Sequence, residues 1–179
     1  MLSVDRTALL LIDIQERLTR VMTDKESLVA SLQKLIKSVK VLGLPILLTE
    51  QYPRGLGPTI PEVASLLLDI KPLVKMSFSC CGDEGFIREL KSLKRDQILA
   101  AGFETHVCVY QTVADLLNDG YEAQVVADCV SSRTRENKAL ALDRMKDIGA
   151  SITTVEMAVF ELLRTAESQK FKEISQIIK

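Results

Sequence analysis

Six short apolar runs, separated by amphipathic stretches, predict a three-layer α/β fold: a six-stranded, mainly parallel sheet with helices on both faces. Three observations carry this reading. The runs are apolar at consecutive rather than alternate positions, as strands covered on both faces require. The stretches between them have helical spacing, and several end on glycine. A chain of 179 residues, 47% of them hydrophobic, is also long enough to bury such a sheet as one domain, residues 1–179, without disulfide staples.

The elements follow in order. TALLLIDI (Thr7 to Ile14) reads as a buried parallel strand. From Lys25 to Leu42, the residues Leu28, Leu32, Leu35, Ile36 and Val39 recur at helical spacing with lysines opposite, and Gly43 stops the helix. PILLTE (Pro45 to Glu50) is a second buried strand, and QYPRGLGPTIP after it is expected to be a loop. A short helix is expected over Pro61 to Leu68 and a short strand over Pro72 to Met76. Asp83 caps a helix to Leu93, and DQILAAGF (Asp96 to Phe103) is a strand. Thr105 to Asn118 is a helix with Thr105 as its expected cap and Val109, Val113, Leu116 and Leu117 inward. EAQVVAD (Glu122 to Asp128) is a strand, Arg135 to Ile148 a helix, SITTVE (Ser151 to Glu156) the last strand, and a terminal helix follows from Met157. Strands linked through helices in this way imply right-handed crossovers.

Composition excludes several function classes. Lysine plus arginine number 23 against 24 acidic residues, and aromatics are 4% with no Trp, so neither a basic footprint nor a stacking platform for nucleic acid is expected. No apolar stretch approaches the roughly 20 residues of a membrane span, so no membrane partner is expected. The N-terminal apolar run holds Asp13 and has no cleavage-site pattern, unlike a signal peptide. Four cysteines (Cys80, Cys81, Cys108 and Cys129) with no C-x-x-C pair read as reduced thiols, and a cytoplasmic location is expected. One histidine, His106, leaves no usual zinc site, so no metal and no other cofactor are expected.

Ligands in open parallel sheets bind outside the carboxyl ends of the strands. That rule selects Asp13, Glu50 and Gln51, Lys75, Cys108 and Asp128. Three of these have an ordinary structural reading: Asp13 as a cap, Lys75 as a snorkelling lysine, Cys108 as a small buried hydrophobe. Position favours more for Cys108, because a first helical turn presents free N–H groups and a dipole that suit a thiolate or a developing oxyanion. Asp13 is then the acceptor of the thiol proton, with Lys75 holding both anions. His106 lies two residues from Cys108, and such residues do not face each other on a helix, so a Cys-His dyad is not expected.

Taken together, LLLIDIQ with Asp13, KPLVKMSFSC with Lys75 and AAGFETHVCVYQT with Cys108 resemble the isochorismatase-like cysteine hydrolases, which include nicotinamidases and N-carbamoylsarcosine amidase. The resemblance runs from about Arg6 to Phe160 and implies an isochorismatase-like, Rossmann-like fold, a catalytic triad of Asp13, Lys75 and Cys108, and a homo-oligomer. It also implies a cis peptide at Phe103–Glu104 and an oxyanion hole built from the amides of Glu104 and Cys108. The chain departs from nicotinamidases at TEQYPRGLG, where their Asp-x-His metal motif is replaced by Glu50, Gln51 and Tyr52. That loop resembles the isochorismatase-domain subgroup, and the presence of Cys108 favours acyl or amide chemistry over the vinyl-ether hydrolysis of isochorismatase proper. The expected function is thus hydrolysis of an amide-type C–N bond of a small molecule through a thioester, with Lys75 lowering the thiol pKa. Gln15, Gln51, Tyr52, Ser77 and Phe78 are expected to line the substrate site. Two other readings compete: an inactive interaction or assembly protein that keeps the fold, and a redox protein using Cys80, Cys81 and Cys108.

Overall fold

The computed structural model describes every residue from Met1 to Lys179. In chain order the elements are β1 (Thr7–Ile12), α1 (Glu16–Thr19), α2 (Lys25–Leu42), β2 (Ile46–Gln51), α3 (Pro53–Leu56), α4 (Pro61–Ala64) and β3 (Leu73–Lys75). A 3-10 turn (Cys80–Gly82), α5 (Glu84–Ser92), β4 (Gln97–Phe103) and a π-helical turn (Thr105–Val109) running into α6 (Tyr110–Asn118) follow. The chain ends with β5 (Glu122–Ser131), α7 (Arg135–Asp147), β6 (Ser151–Thr153), α8 (Val155–Leu163) and α9 (Phe171–Ile178).

The strands form one sheet in the order β3-β2-β1-β4-β5-β6, and every pairing is parallel. This is a doubly wound order, reversing direction between β1 and β4, where crevices open at the carboxyl ends of strands. Alternate residues of β1 serve the two faces: Leu9 and Leu11 join α2, α8 and α9 in one core, while Ala8, Leu10 and Ile12 join α5 and α6 in the other. All six residues of β1 are buried, which is why the run is apolar throughout.

Several boundaries differ from expectation, each for a local reason. β1 stops at Ile12 because Asp13 turns into the left-handed region, φ 53°. The expected loop after β2 contains the helical turn α3, started by Pro53, whose ring pre-sets a helical φ. Asp83 caps α5 as expected, its side chain accepting from the Phe86 amide. Thr105 does not cap the next helix: Glu104 occupies the cap position, and the buried Thr105 hydroxyl has no partner. β5 runs on to Ser131, so its end stands beside Phe103 in register. The expected terminal helix is two, α8 and α9.

Gly102 sets the spacing at the switch point. It pairs with Ile12 and has φ +122°, and a Cβ there would lie 2.0 Å from the Ile12 carbonyl oxygen. Only glycine permits this approach of two backbones. It brings the ends of β1 and β4 together, one leading to Asp13 and the other to Cys108.

Candidate active site

Asp13 is fully buried where β1 gives way to a tight turn closed by the Gln15 amide on the Asp13 carbonyl at 2.8 Å. Aspartate tolerates the left-handed backbone that this turn needs. Lys75 is the last residue of β3, 2% exposed, and stands in register with Gln51. Its Nζ donates to Asp13 Oδ2 at 2.6 Å, Gln51 Oε1 at 2.8 Å, Phe78 O at 3.0 Å and Ser77 O at 3.2 Å. An ammonium has three protons, so four acceptors satisfy it completely. A buried lysine is tolerated only when paired in this way.

Cys108 is buried, 5% exposed, in the π-helical turn after β4. Burial raises its thiol pKa first, the Asp13 charge and acceptor oxygen add to the rise, and Lys75 pulls the other way; the outcome is about 12. Lys75 lowers the thiol pKa as expected, but the thiol still ends well above its ordinary value. Desolvation and the Asp13 carboxylate outweigh the ammonium. The sulfur is thus held as a thiol beside the Asp13 side chain.

The Phe103–Glu104 peptide is cis. The Glu104 carbonyl accepts from the amides of Val107 at 3.1 Å and Val109 at 3.2 Å, anchoring the π-helical turn. The Glu104 carboxylate pairs with Arg133 at 2.8 Å.

The other expected site residues divide. Gln15 is fully buried, and its amide is spent on the loop after β2: Nε2 donates to Gln51 O at 3.0 Å and Gly57 O at 2.6 Å, and Oε1 accepts from the Gln51 amide at 2.8 Å. It clamps that loop and presents nothing to a ligand, which corrects its expected place in the lining. Gln51 bridges Lys75 and the Met76 carbonyl, 2.9 Å from its Nε2. Ser77 contributes its carbonyl to Lys75 and turns its hydroxyl to Ser79 O. Tyr52 and Phe78 are 47% and 55% exposed, with Met76 beside them in sequence at 69%, an apolar rim next to Lys75. His106 bonds through Nδ1 to Ser132 Oγ at 2.9 Å.

Sequence reasoning missed two groups. Thr49 donates to Asp13 Oδ1 at 2.8 Å, and Cys80, read from the sequence as a reduced thiol, lies against Thr49 within reach of the Asp13 and Lys75 charges. A polar residue inside the apolar run ILLTE was the available signal for Thr49. The segment that replaces the metal motif does not fit a metal. Glu50 Oε1 is occupied by the amide and hydroxyl of Thr59 at 2.7 and 2.8 Å, and Gln51 is held by Lys75. No group of three or more His, Cys, Asp or Glu is placed to hold an ion. A surface cleft of about 690 Å³ lined by Arg6, Lys91, Lys94 and Tyr121 lies at the opposite, amino-terminal edge of the sheet and offers no thiol. No helix is long and apolar enough to cross a membrane.

Residues 7–157 match the family model of the isochorismatase domain. The chain is 38% identical over 173 residues to isochorismatase domain-containing protein 2 of Xenopus laevis, covering 96% of this chain and 83% of that protein. It is 37% identical over 177 residues to the secreted isochorismatase effector Isc1 of Phytophthora sojae, covering 97% and 84%. Among solved structures, one described as MAR1 ribonuclease from Caenorhabditis elegans superposes with a TM-score of 0.93 at 33% identity, covering 99% of this chain and 91% of that one. The Escherichia coli YcaC product, described as an octameric hydrolase of unknown specificity, superposes at 0.94 with 24% identity, covering 99% and 88%, which shows the shared fold. A parallel sheet wound in this order and a match across most of its length place the chain in the isochorismatase-domain family of hydrolases.

Proposed function

We propose that this protein is a cysteine hydrolase that cleaves an amide-type C–N bond of a small molecule, as a single domain, with Cys108 as nucleophile, Asp13 as base and Lys75 as the fixed countercharge. The observation that carries the reading is the buried Asp13–Lys75 ion pair at 2.6 Å, set against a thiol whose pKa responds to both charges. A buried pair costs desolvation and adds little to stability, so its place beside the Cys108 thiol at the sheet's switch point favours a chemical use.

The thiol proton passes to the Asp13 carboxylate as the sulfur attacks the substrate carbonyl carbon. The carbonyl oxygen becomes an oxyanion, which the amides of Glu104 and Cys108 receive. Collapse breaks the C–N bond, and the amine leaves with the proton held by Asp13. Water then gives a proton to Asp13 and attacks the thioester; the C–S bond breaks and the sulfur recovers its proton. A high resting thiol pKa suits this scheme, because the proton leaves only when the carbonyl is in place to receive the sulfur's electrons.

Tyr52, Phe78, Gln51 and Ser77 border the substrate. The Caenorhabditis neighbour is described as a ribonuclease, but a buried thiol–carboxylate pair attacks carbonyl carbon, and a net charge of -1 does not draw a polyanion. We also assign a homo-oligomer, with the apolar rim of Tyr52, Met76 and Phe78 shielded from water. The test is a screen of small amides with intact-mass detection of an acyl adduct on Cys108. Cys108→Ala is expected to abolish turnover and adduct while unfolding at an unchanged temperature. Undiminished turnover in that variant would end the cysteine-hydrolase reading.

A further inference from the structure

Thr49 is fully buried in β2, the one hydroxyl-bearing residue of ILLTEQ. Its Oγ1 lies 2.8 Å from Asp13 Oδ1 and 3.8 Å from Cys80 Sγ. An ionised carboxylate holds no proton, so the hydroxyl is the donor to Asp13. A hydroxyl has one proton to give, so the Cys80 thiol is the donor in the second, weaker contact. Cys80 keeps that proton, since burial and the Asp13 charge push its thiol up to about 12. The Cys80 backbone is itself fixed, its amide donating to Thr112 Oγ1 at 2.9 Å. A directed chain results, from Cys80 through Thr49 to Asp13.

Lys75 holds the other carboxylate oxygen, Oδ2. With one donor on each oxygen, the carboxylate cannot turn about its Cβ–Cγ bond without breaking two charge-assisted hydrogen bonds. We propose that Thr49 is a positioning residue: its hydroxyl pins Asp13 Oδ1, so that the carboxylate meets the Cys108 thiol in one orientation and stays in its proton-accepting form. This rests on the reading of Asp13 as the base. No bond to Thr49 is made or broken in turnover; the proton moves only between Cys108 and Asp13. Three ionisable groups face Asp13: Lys75 from β3, Cys108 from the π-helical turn, and Cys80 from the 3-10 turn. None comes from β2, so Thr49 acts there without adding a charge.

The experiment follows alkylation of Cys108 by iodoacetamide in the intact chain, with peptide mapping, across acidic to neutral pH. The wild-type rate is expected to fall on the acid side as Asp13 takes a proton. Thr49→Val keeps the shape and removes the donor, and a carboxylate that loses a hydrogen bond is more readily neutralised. Its acid-side fall is expected about one pH unit higher, and Thr49→Ser is expected to restore the wild-type position. A purely packing role for Thr49 predicts an unmoved profile in folded Thr49→Val, and that outcome overturns the proposal. Thr49→Ala makes the same comparison if the valine variant does not fold, as judged by circular dichroism. A wild-type profile with no acid-side fall overturns the assignment of Asp13 as base, and with it this proposal, a result distinct from a fall that Thr49 does not move.

Discussion

Replacing Lys75 by methionine removes the ammonium and keeps most of the stem volume. The loss is large because Lys75 is 2% exposed and Asp13 is fully buried. The variant leaves the carboxylate with Thr49 alone, and leaves Gln51 Oε1 and the carbonyls of Ser77 and Phe78 without their donor. Breaking a buried pair from one side costs about 3–5 kcal/mol, which lowers the melting temperature by roughly 10 °C for a chain of this size. The cost depends on pH in a definite sense. Without its countercharge, buried Asp13 favours the neutral form, so the folded variant binds more protons than the unfolded chain at mildly acidic pH. Its deficit relative to wild type therefore shrinks as pH falls and is largest at neutral pH. Urea denaturation at two pH values measures this. The double variant Asp13→Asn/Lys75→Met is expected to recover much of the loss, since no buried charge is stranded. A deficit below about 1 kcal/mol, or a double variant no more stable than Lys75→Met, would refute the account of this pair as buried and mutually dependent.

Two further outcomes are expected. The thiols of Cys108 and Cys80 are both raised from 9.0 to about 12 in the folded chain, so the stability they contribute is full below pH 9 and is lost as pH rises toward 12; the urea midpoint should fall over that window, and Asp13→Asn should bring Cys108 thiolate absorbance to lower pH because it removes a charge that opposes ionisation. Gly102→Ala forces a Cβ to within 2.0 Å of the Ile12 carbonyl oxygen, so it should destabilise the fold by about 2 kcal/mol or more and slow Cys108 alkylation by moving β4 against β1; a variant that melts and alkylates like wild type would show that this contact does not set the site.

The layer order and the meeting of Asp13, Lys75 and Cys108 were legible because they follow from consecutive apolar runs and from the general placement of ligands at strand ends. What escaped was three-dimensional. The side chain of Gln15 follows a strand end, as a lining residue would, but its target is a loop more than thirty positions away, which no local pattern encodes. Thr105 satisfies every rule for a helix cap, yet the turn widens into π geometry and gives the cap position to Glu104. The thiol pKa depends on burial set against two opposite charges at close range, and spacing along a chain carries no measure of depth. Thr49 and Cys80 belong to different elements, and Thr49 comes between Cys80 and Asp13 only once the chain is folded.

The four acceptors around the Lys75 ammonium have an evolutionary consequence. Two of them are backbone carbonyls of Ser77 and Phe78, the segment that carries the exposed Met76 and Phe78 side chains. That stretch of main chain is tied to the charge which the proposed chemistry uses, so an insertion or deletion there would pull the ammonium away from Asp13. Its side chains are under no such restraint. Under the proposed function, the side chains at positions 76 and 78 can be exchanged while the path beneath stays fixed, so substrate range would diversify by residue replacement alone, apart from the groups assigned to bond cleavage.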